Sequence, residues 1–300
     1  SMMGTTQNNF LIDSSNAGHF DLSATQFEGP ANVRITNPTK IDIYNLACVS
    51  ITKDTFLTIV TGSSIQISLS QLTVTSISGT SLISIESTST TTYPTVSMSS
   101  IYINTDSQLE ESAIYIKGSL AGFTWTDSTL DYTNGLTPPK GGGITFDSVF
   151  CASFGQCLIN SVTMTKPNVP TGASFIQINN HQATFYLDVI NCVVSGAKGS
   201  HPVVDMTSTA TDVDLVVRMD ANTILQQTAL DAASMIYVSG PTCQLELLGT
   251  QFLLNGWNTA PASGAMCVQI DEAAVVNMDA TIFSQSTASV GTTQLSIVQV

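Results

Sequence analysis

A short apolar alternation returns along this chain at steps of 27 to 32 residues. It reads Leu82-Ile83-Ser84-Ile85, Ile114-Tyr115-Ile116, Ile144-Thr145-Phe146, Ile176-Gln177-Ile178, Val204-Asp205-Met206, Ile236-Tyr237-Val238, Val268-Gln269-Ile270 and Leu295-Ser296-Ile297. Self-similarity at such a period marks a repeat architecture, in which each unit stacks on the next and shares its core.

Each repeat holds a second strand-like segment, such as Phe123-Thr124-Trp125, Phe185-Tyr186-Leu187 or Leu245-Glu246-Leu247. A third follows closely, as in Leu130-Asp131-Tyr132, Val162-Thr163-Met164 and Phe252-Leu253-Leu254. Loops rich in Gly, Pro, Asn, Ser and Thr then close the unit, which is turn chemistry rather than helix capping. Three short strands with no room for a crossover helix predict an all-β fold, a right-handed parallel β-helix of eight to ten coils. The one helical candidate, Gln226 to Ser234, is at most a turn or two inside a loop. The chain reads as a single domain over 1–300, with 1–40 as an N-terminal cap and irregular first coils. An antiparallel β-sandwich is the alternative, but it calls for tight two-residue hairpins, whereas Asn134-Gly135 and Asn255-Gly256 sit in longer loops.

Charged residues make up only 10% of the 300, and the formal net charge is −14. Arg34 and Arg218 are the two arginines. A nucleic-acid partner requires a basic footprint that this balance does not supply, and an anionic membrane surface is disfavoured for the same reason. No apolar run reaches the roughly 18 residues of a membrane-spanning helix, so membrane insertion is not expected. Six cysteines show no zinc spacing. Cys151 and Cys157 can close a small disulfide loop, while most of the six are expected as buried free thiols. The only Asn-x-Ser/Thr window, Asn37-Pro38-Thr39, is blocked by its proline, which fits a bacterial or viral origin better than a glycosylated eukaryotic surface protein.

Gly142-Gly143-Ile144, Ser263-Gly264-Ala265-Met266 and Phe252-Leu253-Leu254-Asn255 add a motif-level signal. With the repeat, they resemble the pectin-lyase-like superfamily of right-handed parallel β-helices. They also approximate the Gly-Gly-Ala-Ile and Phe-x-x-Asn motifs of passenger domains in polymorphic outer-membrane proteins. The resemblance covers roughly 56–300 and implies secreted or surface work, either adhesion or action on carbohydrate.

The first strand of each coil is the most regular, so its outward residues can be written down. One column is Ser84, Tyr115, Thr145, Gln177, Asp205, Tyr237, Gln269 and Ser296; one pleat on stand Lys117, Asp147, Asn179, Thr207, Ser239 and Asp271. Tyr115 and Tyr237 offer rings for stacking on sugars, and Gln177, Asn179, Asp205 and Gln269 offer partners for hydroxyls. A catalytic alternative uses Asp147, Asp205 or Asp271 as the acid–base pair of an inverting glycosidase or of a lyase, with Asp147 and Asp205 about 10 Å apart over two coils. Against it, Lys117 is the only base nearby, since Arg218 falls on another strand. His19, His181 and His201 belong to no triad or metal pattern. Ice binding requires stacked Thr-x-Thr, but Thr73-Val74-Thr75, Thr124-Trp125-Thr126 and Thr163-Met164-Thr165 fall on different segments.

The expected function is a secreted or surface-displayed scaffold for adhesion or carbohydrate binding, without catalysis and without a cofactor or metal. Its partner is a carbohydrate or a host surface receptor. It is expected to act as a monomer or a side-by-side trimer, outside the cell or, alternatively, on a virion surface.

Overall fold

The structure is a computed structural model. It describes residues 2–3, 10–16, 18–52, 55–104, 108–109, 111–133, 142–151, 154–165, 174–179, 183–220, 223–231, 233–259, 265–272, 274–284, 287–288 and 295–299. Among them every named element is a strand and the strand pairs are parallel. The chain is a parallel β-solenoid, and the sandwich alternative is set aside.

The repeating alternation builds one sheet of eleven strands, from Phe10–Ser15 to Leu295–Gln299, each hydrogen-bonded to the same segment of the next coil. The expected eight to ten coils is therefore slightly off. The reason is that residues assigned to a cap already pair regularly: Phe10–Ser15 lies against Ala31–Thr36, and His19–Glu28 against Lys40–Val49. These coils are shorter, with Ile12 paired to Val33 and Val33 to Leu57, which takes them out of the later period.

The second and third segments form the other large sheet. In the earlier coils they run on as one strand of nine or ten residues, such as Gln66–Val74, Thr95–Ile103 and Gly122–Asp131. Each bends at a single left-handed residue: Ala24, Asn45, Gln71, Ser100, Asp127 and Ser161, with φ between 48° and 55°. From Phe185–Ile190 and Val193–Ser195 onward the two segments separate, with Asn191 at φ 53° between them. A non-glycine residue in this region costs roughly 1–2 kcal/mol, so the stacked corner is held by its neighbours. Gln226 to Ser234, the helical candidate, instead begins at the last residue of the strand Ile224–Gln226 and holds the strand Ala229–Asp231.

Alternation puts every second side chain inside. Ile83, Ile114, Ile144, Ile176, Val204, Ile236 and Val268 follow one another down the core, beside Ile85, Ile116, Phe146, Ile178, Met206, Val238 and Ile270, all buried. The opposite wall supplies Val96, Phe123 and Cys157 next to Met98, Trp125 and Ile159. Phe252-Leu253-Leu254-Asn255 has a clear physical meaning. Phe252 stacks on Phe283 at 4.7 Å, and buried Asn255 accepts from the Thr228 amide at 3.3 Å and donates to the Leu225 carbonyl at 2.9 Å. The amide side chain thus ties a turn to the coil beneath it. Ser263 and Gly264 lie outside the described residues, as do His181, Asn134 and Gly135.

Cys151 and Cys157 form a disulfide with Cα atoms 6.5 Å apart. Cys48, Cys192, Cys243 and Cys267 are buried free thiols. Burial pushes the Cys48 and Cys192 thiols up to about 12, so both are inert small hydrophobes in the core.

Candidate functional site

The outward ladder follows from strand register. Pairing carries one column through Ser84, Tyr115, Thr145, Gln177, Asp205, Tyr237 and Gln269, and the other through Glu86, Lys117, Asp147, Asn179, Thr207, Ser239 and Asp271. All six residues expected to contact a ligand thus share one sheet face. The first column also extends back through Thr58 and Arg34, which the repeat search missed. The last rung is a correction: Gln269 pairs with Gln299, whereas Ser296 pairs with Met266, three positions out of the expected alignment. The final segment Leu295-Ser296-Ile297-Val298 offers two apolar alternations, and the sequence alone favours the wrong one.

The side chains of the face are tied to one another. The Tyr115 hydroxyl donates to Asp147 Oδ2 at 2.7 Å, and Ser148 donates to its Oδ1 at 3.2 Å. Thr207 donates to Asp205 Oδ1 at 3.1 Å, and Gln269 Nε2 donates to Asp271 Oδ2 at 3.0 Å. His201 Nε2 lies 3.0 Å from Asp205 Oδ2, off the line of a hydrogen bond. Asp205 is only 8% exposed, so it is held within the face rather than solvated. Thr145 is buried too, its hydroxyl 2.7 Å from that of Ser112.

Asp147 and Asp205 stand two rungs and one pleat apart, as do Asp205 and Asp271. Adding the pleat step to the two rungs lengthens the expected spacing to about 12 Å between backbone positions. The roughly 6.5–9.5 Å of an inverting pair is a separation between carboxyl groups, which stand off the backbone and lean toward or away from each other. Among the described residues, no three His, Cys, Asp or Glu side chains group closely enough to hold a metal ion. Thr73 shares its column with Tyr102, Thr129 and Thr163, so the tyrosine interrupts any ordered threonine array.

Burial, and then the bond to Asp147, pushes the Tyr115 phenol well above its ordinary 10.0. Burial alone does the same for Tyr132. A phenol whose folded value is raised keeps its proton longer when folded, so stability is lost as pH climbs above the unfolded value. Thermal melts taken from about pH 9 to about pH 11 are expected to show this loss, and Tyr115→Phe is expected to remove part of it. Melts flat across that range contradict the assignment.

Two features of the second sheet escaped the sequence reading. Arg218 Nε and Nη2 bind Asp188 Oδ1 at 2.8 and 2.7 Å, the Gly155 amide donates to Asp188 Oδ2 at 2.9 Å, and the guanidinium lies 4.4 Å over the Phe154 ring. The disulfide loop brings Phe154 there; thirty residues separate the charged partners, so no local pattern announces the pair. The other feature is a shallow hollow lined by Asp21, Asp42, Ile43, Tyr44, Ser68 and Ser70. Lys40 and His19 flank it, both contacting Asp42 Oδ2, at 2.6 and 2.7 Å; the hydrogen bond from Lys40 leads in holding the Asp42 carboxyl below its usual value.

Among the described residues no helix is long and apolar enough to cross a membrane. Comparison of this chain with protein families, curated proteins and solved structures finds no match. Fold and face together define a parallel β-solenoid with a two-column polar ladder on one sheet.

Proposed function

We propose that the chain is a secreted or surface-displayed scaffold that binds carbohydrate along its regular sheet face without cleaving it. The observation that carries this reading is the register that aligns Tyr115, Gln177, Asn179, Asp205, Tyr237 and Gln269 on one face. Aromatic rings, amides and a carboxylate in fixed order are the groups that stack on and hydrogen-bond to sugars. The Cys151–Cys157 disulfide supports an oxidising compartment outside the cell, where such bonds persist. Likeness to the pectin-lyase-like superfamily and to polymorphic outer-membrane passenger domains belongs to the same reading, as do adhesion to a host receptor and a monomer or side-by-side trimer. Fold alone does not assign them.

The polysaccharide-cleaving alternative takes Asp147, Asp205 or Asp271, all on the same face, as its working carboxylates. Incubation with acidic and neutral polysaccharides, following retention and new chain ends together, tests the proposal. Retention without new ends is the expected result. New ends that vanish in Asp205→Asn would move the catalytic reading to first place. Neither retention nor cleavage would leave the face without its assigned role.

A further inference from the structure

The charge and polarity of the face narrow the class of glycan, given that the binding reading above holds. From the rung Ser81–Ser87 to the rung Ala265–Asp271 the two columns carry Glu86, Asp147, Asp205 and Asp271 against Lys117 alone. Three of the face's own donors, on Tyr115, Thr207 and Gln269, are already turned toward those carboxylates. The face therefore presents an excess of acceptors and negative charge. A ligand that meets it must bring donors, as hydroxyls or ammonium groups, and no carboxylates of its own.

Geometry sets the length. Tyr115 and Tyr237 occupy the same column four rungs apart, joined through Thr145, Gln177 and Asp205. At the spacing of parallel strands this is about 19 Å, so a glycan that sets one ring on each tyrosine needs about five pyranose units. A shorter glycan reaches one tyrosine at a time and loses the gain of engaging both.

We propose that the face takes an extended glycan along the solenoid axis, amine-bearing in preference to uncharged and both in preference to uronate. Asp147 and Asp271, both half-buried, supply the charge that an amino sugar would meet; Asp205 between them is 8% exposed, with His201 3.0 Å away.

The test is calorimetric titration of the intact chain with three oligosaccharide series of two to six units: glucosamine, N-acetylglucosamine and galacturonate. Glucosamine oligomers are expected to bind about tenfold more tightly than galacturonate oligomers, with affinity rising steeply until about five units. Asp147→Asn and Asp271→Asn, both half-buried on the second column, are expected to shrink that preference while leaving the melting temperature nearly unchanged. Galacturonate bound as tightly as glucosamine, or a preference unmoved by both variants, overturns the assignment of class but leaves the face as a glycan site. Affinity independent of length overturns the axial arrangement. Failure of all three series to bind removes this inference together with the binding function itself.

Discussion

Arg218→Ala is expected to lower folding stability by about 3 kcal/mol, because it strands a buried carboxylate. Asp188 is 3% exposed. With the guanidinium gone, the Gly155 amide still donates to it at 2.9 Å, one neutral donor for a buried charge. The substitution also removes the cation that Phe154 packs against at 4.4 Å, loosening the disulfide loop on the sheet. The double change Asp188→Leu with Arg218→Met removes both charges and keeps apolar bulk, so it is expected to cost clearly less than Arg218→Ala. Urea unfolding of wild type and the two variants checks this. A loss below about 0.5 kcal/mol for Arg218→Ala, the level of an ordinary surface change, contradicts a structural ion pair.

Gly118→Ala is expected to cost about 2–3 kcal/mol, from left-handed backbone strain combined with a backbone clash. Gly118 turns the chain out of the face strand at φ +81°, and a Cβ there would stand 2.2 Å from the Ser87 carbonyl oxygen. Gly240, at the equivalent corner with φ +124°, would place its Cβ 1.9 Å from the Ser208 carbonyl oxygen. In both cases the obstacle is the backbone of the preceding coil, which moves only if the stack opens. Gly155 provides the control, since it has the same φ of +81° with nothing within 4 Å. Gly155→Ala is expected to cost about 1 kcal/mol, the conformational part alone. Thermal melts of the three alanine variants separate the two contributions. Equal losses at Gly118 and Gly155 would mean that coil-to-coil approach does not set the corner geometry.

The face was legible in the sequence because alternation on a half-buried strand is written residue by residue. Ile144-Thr145-Phe146 and Ile176-Gln177-Ile178 fix both what is inside and what is out, and their period fixes which residues neighbour each other. Three things were not legible. The bends at Gln71, Ser100 and Ser161 carry no glycine, since the stack rather than the residue imposes the left-handed conformation. The Asp188–Arg218 pair arises only when two strands align across a coil. The diagonal offset of Asp147 from Asp205 follows from the pleat, which a count of coils ignores. The first coils are hidden by their length: paired positions Ile12 and Val33 stand 21 residues apart and Val33 and Leu57 24, shorter than the later period, although Ile41-Asp42-Ile43 alternates as cleanly as any later strand.

The other sheet offers a second candidate surface, with Tyr44 and Tyr102 at 44% and 46% exposed and a shallow hollow beside Tyr44. Retention of the chain on an immobilised neutral or amino-sugar polysaccharide, measured for Tyr115→Ala/Tyr237→Ala and for Tyr44→Ala/Tyr102→Ala, sets one against the other. The first pair is expected to abolish retention and the second to leave it intact, with far-ultraviolet circular dichroism unchanged in both. Retention lost with Tyr44 and Tyr102 but kept without Tyr115 and Tyr237 would contradict the assignment of the regular face as the binding surface.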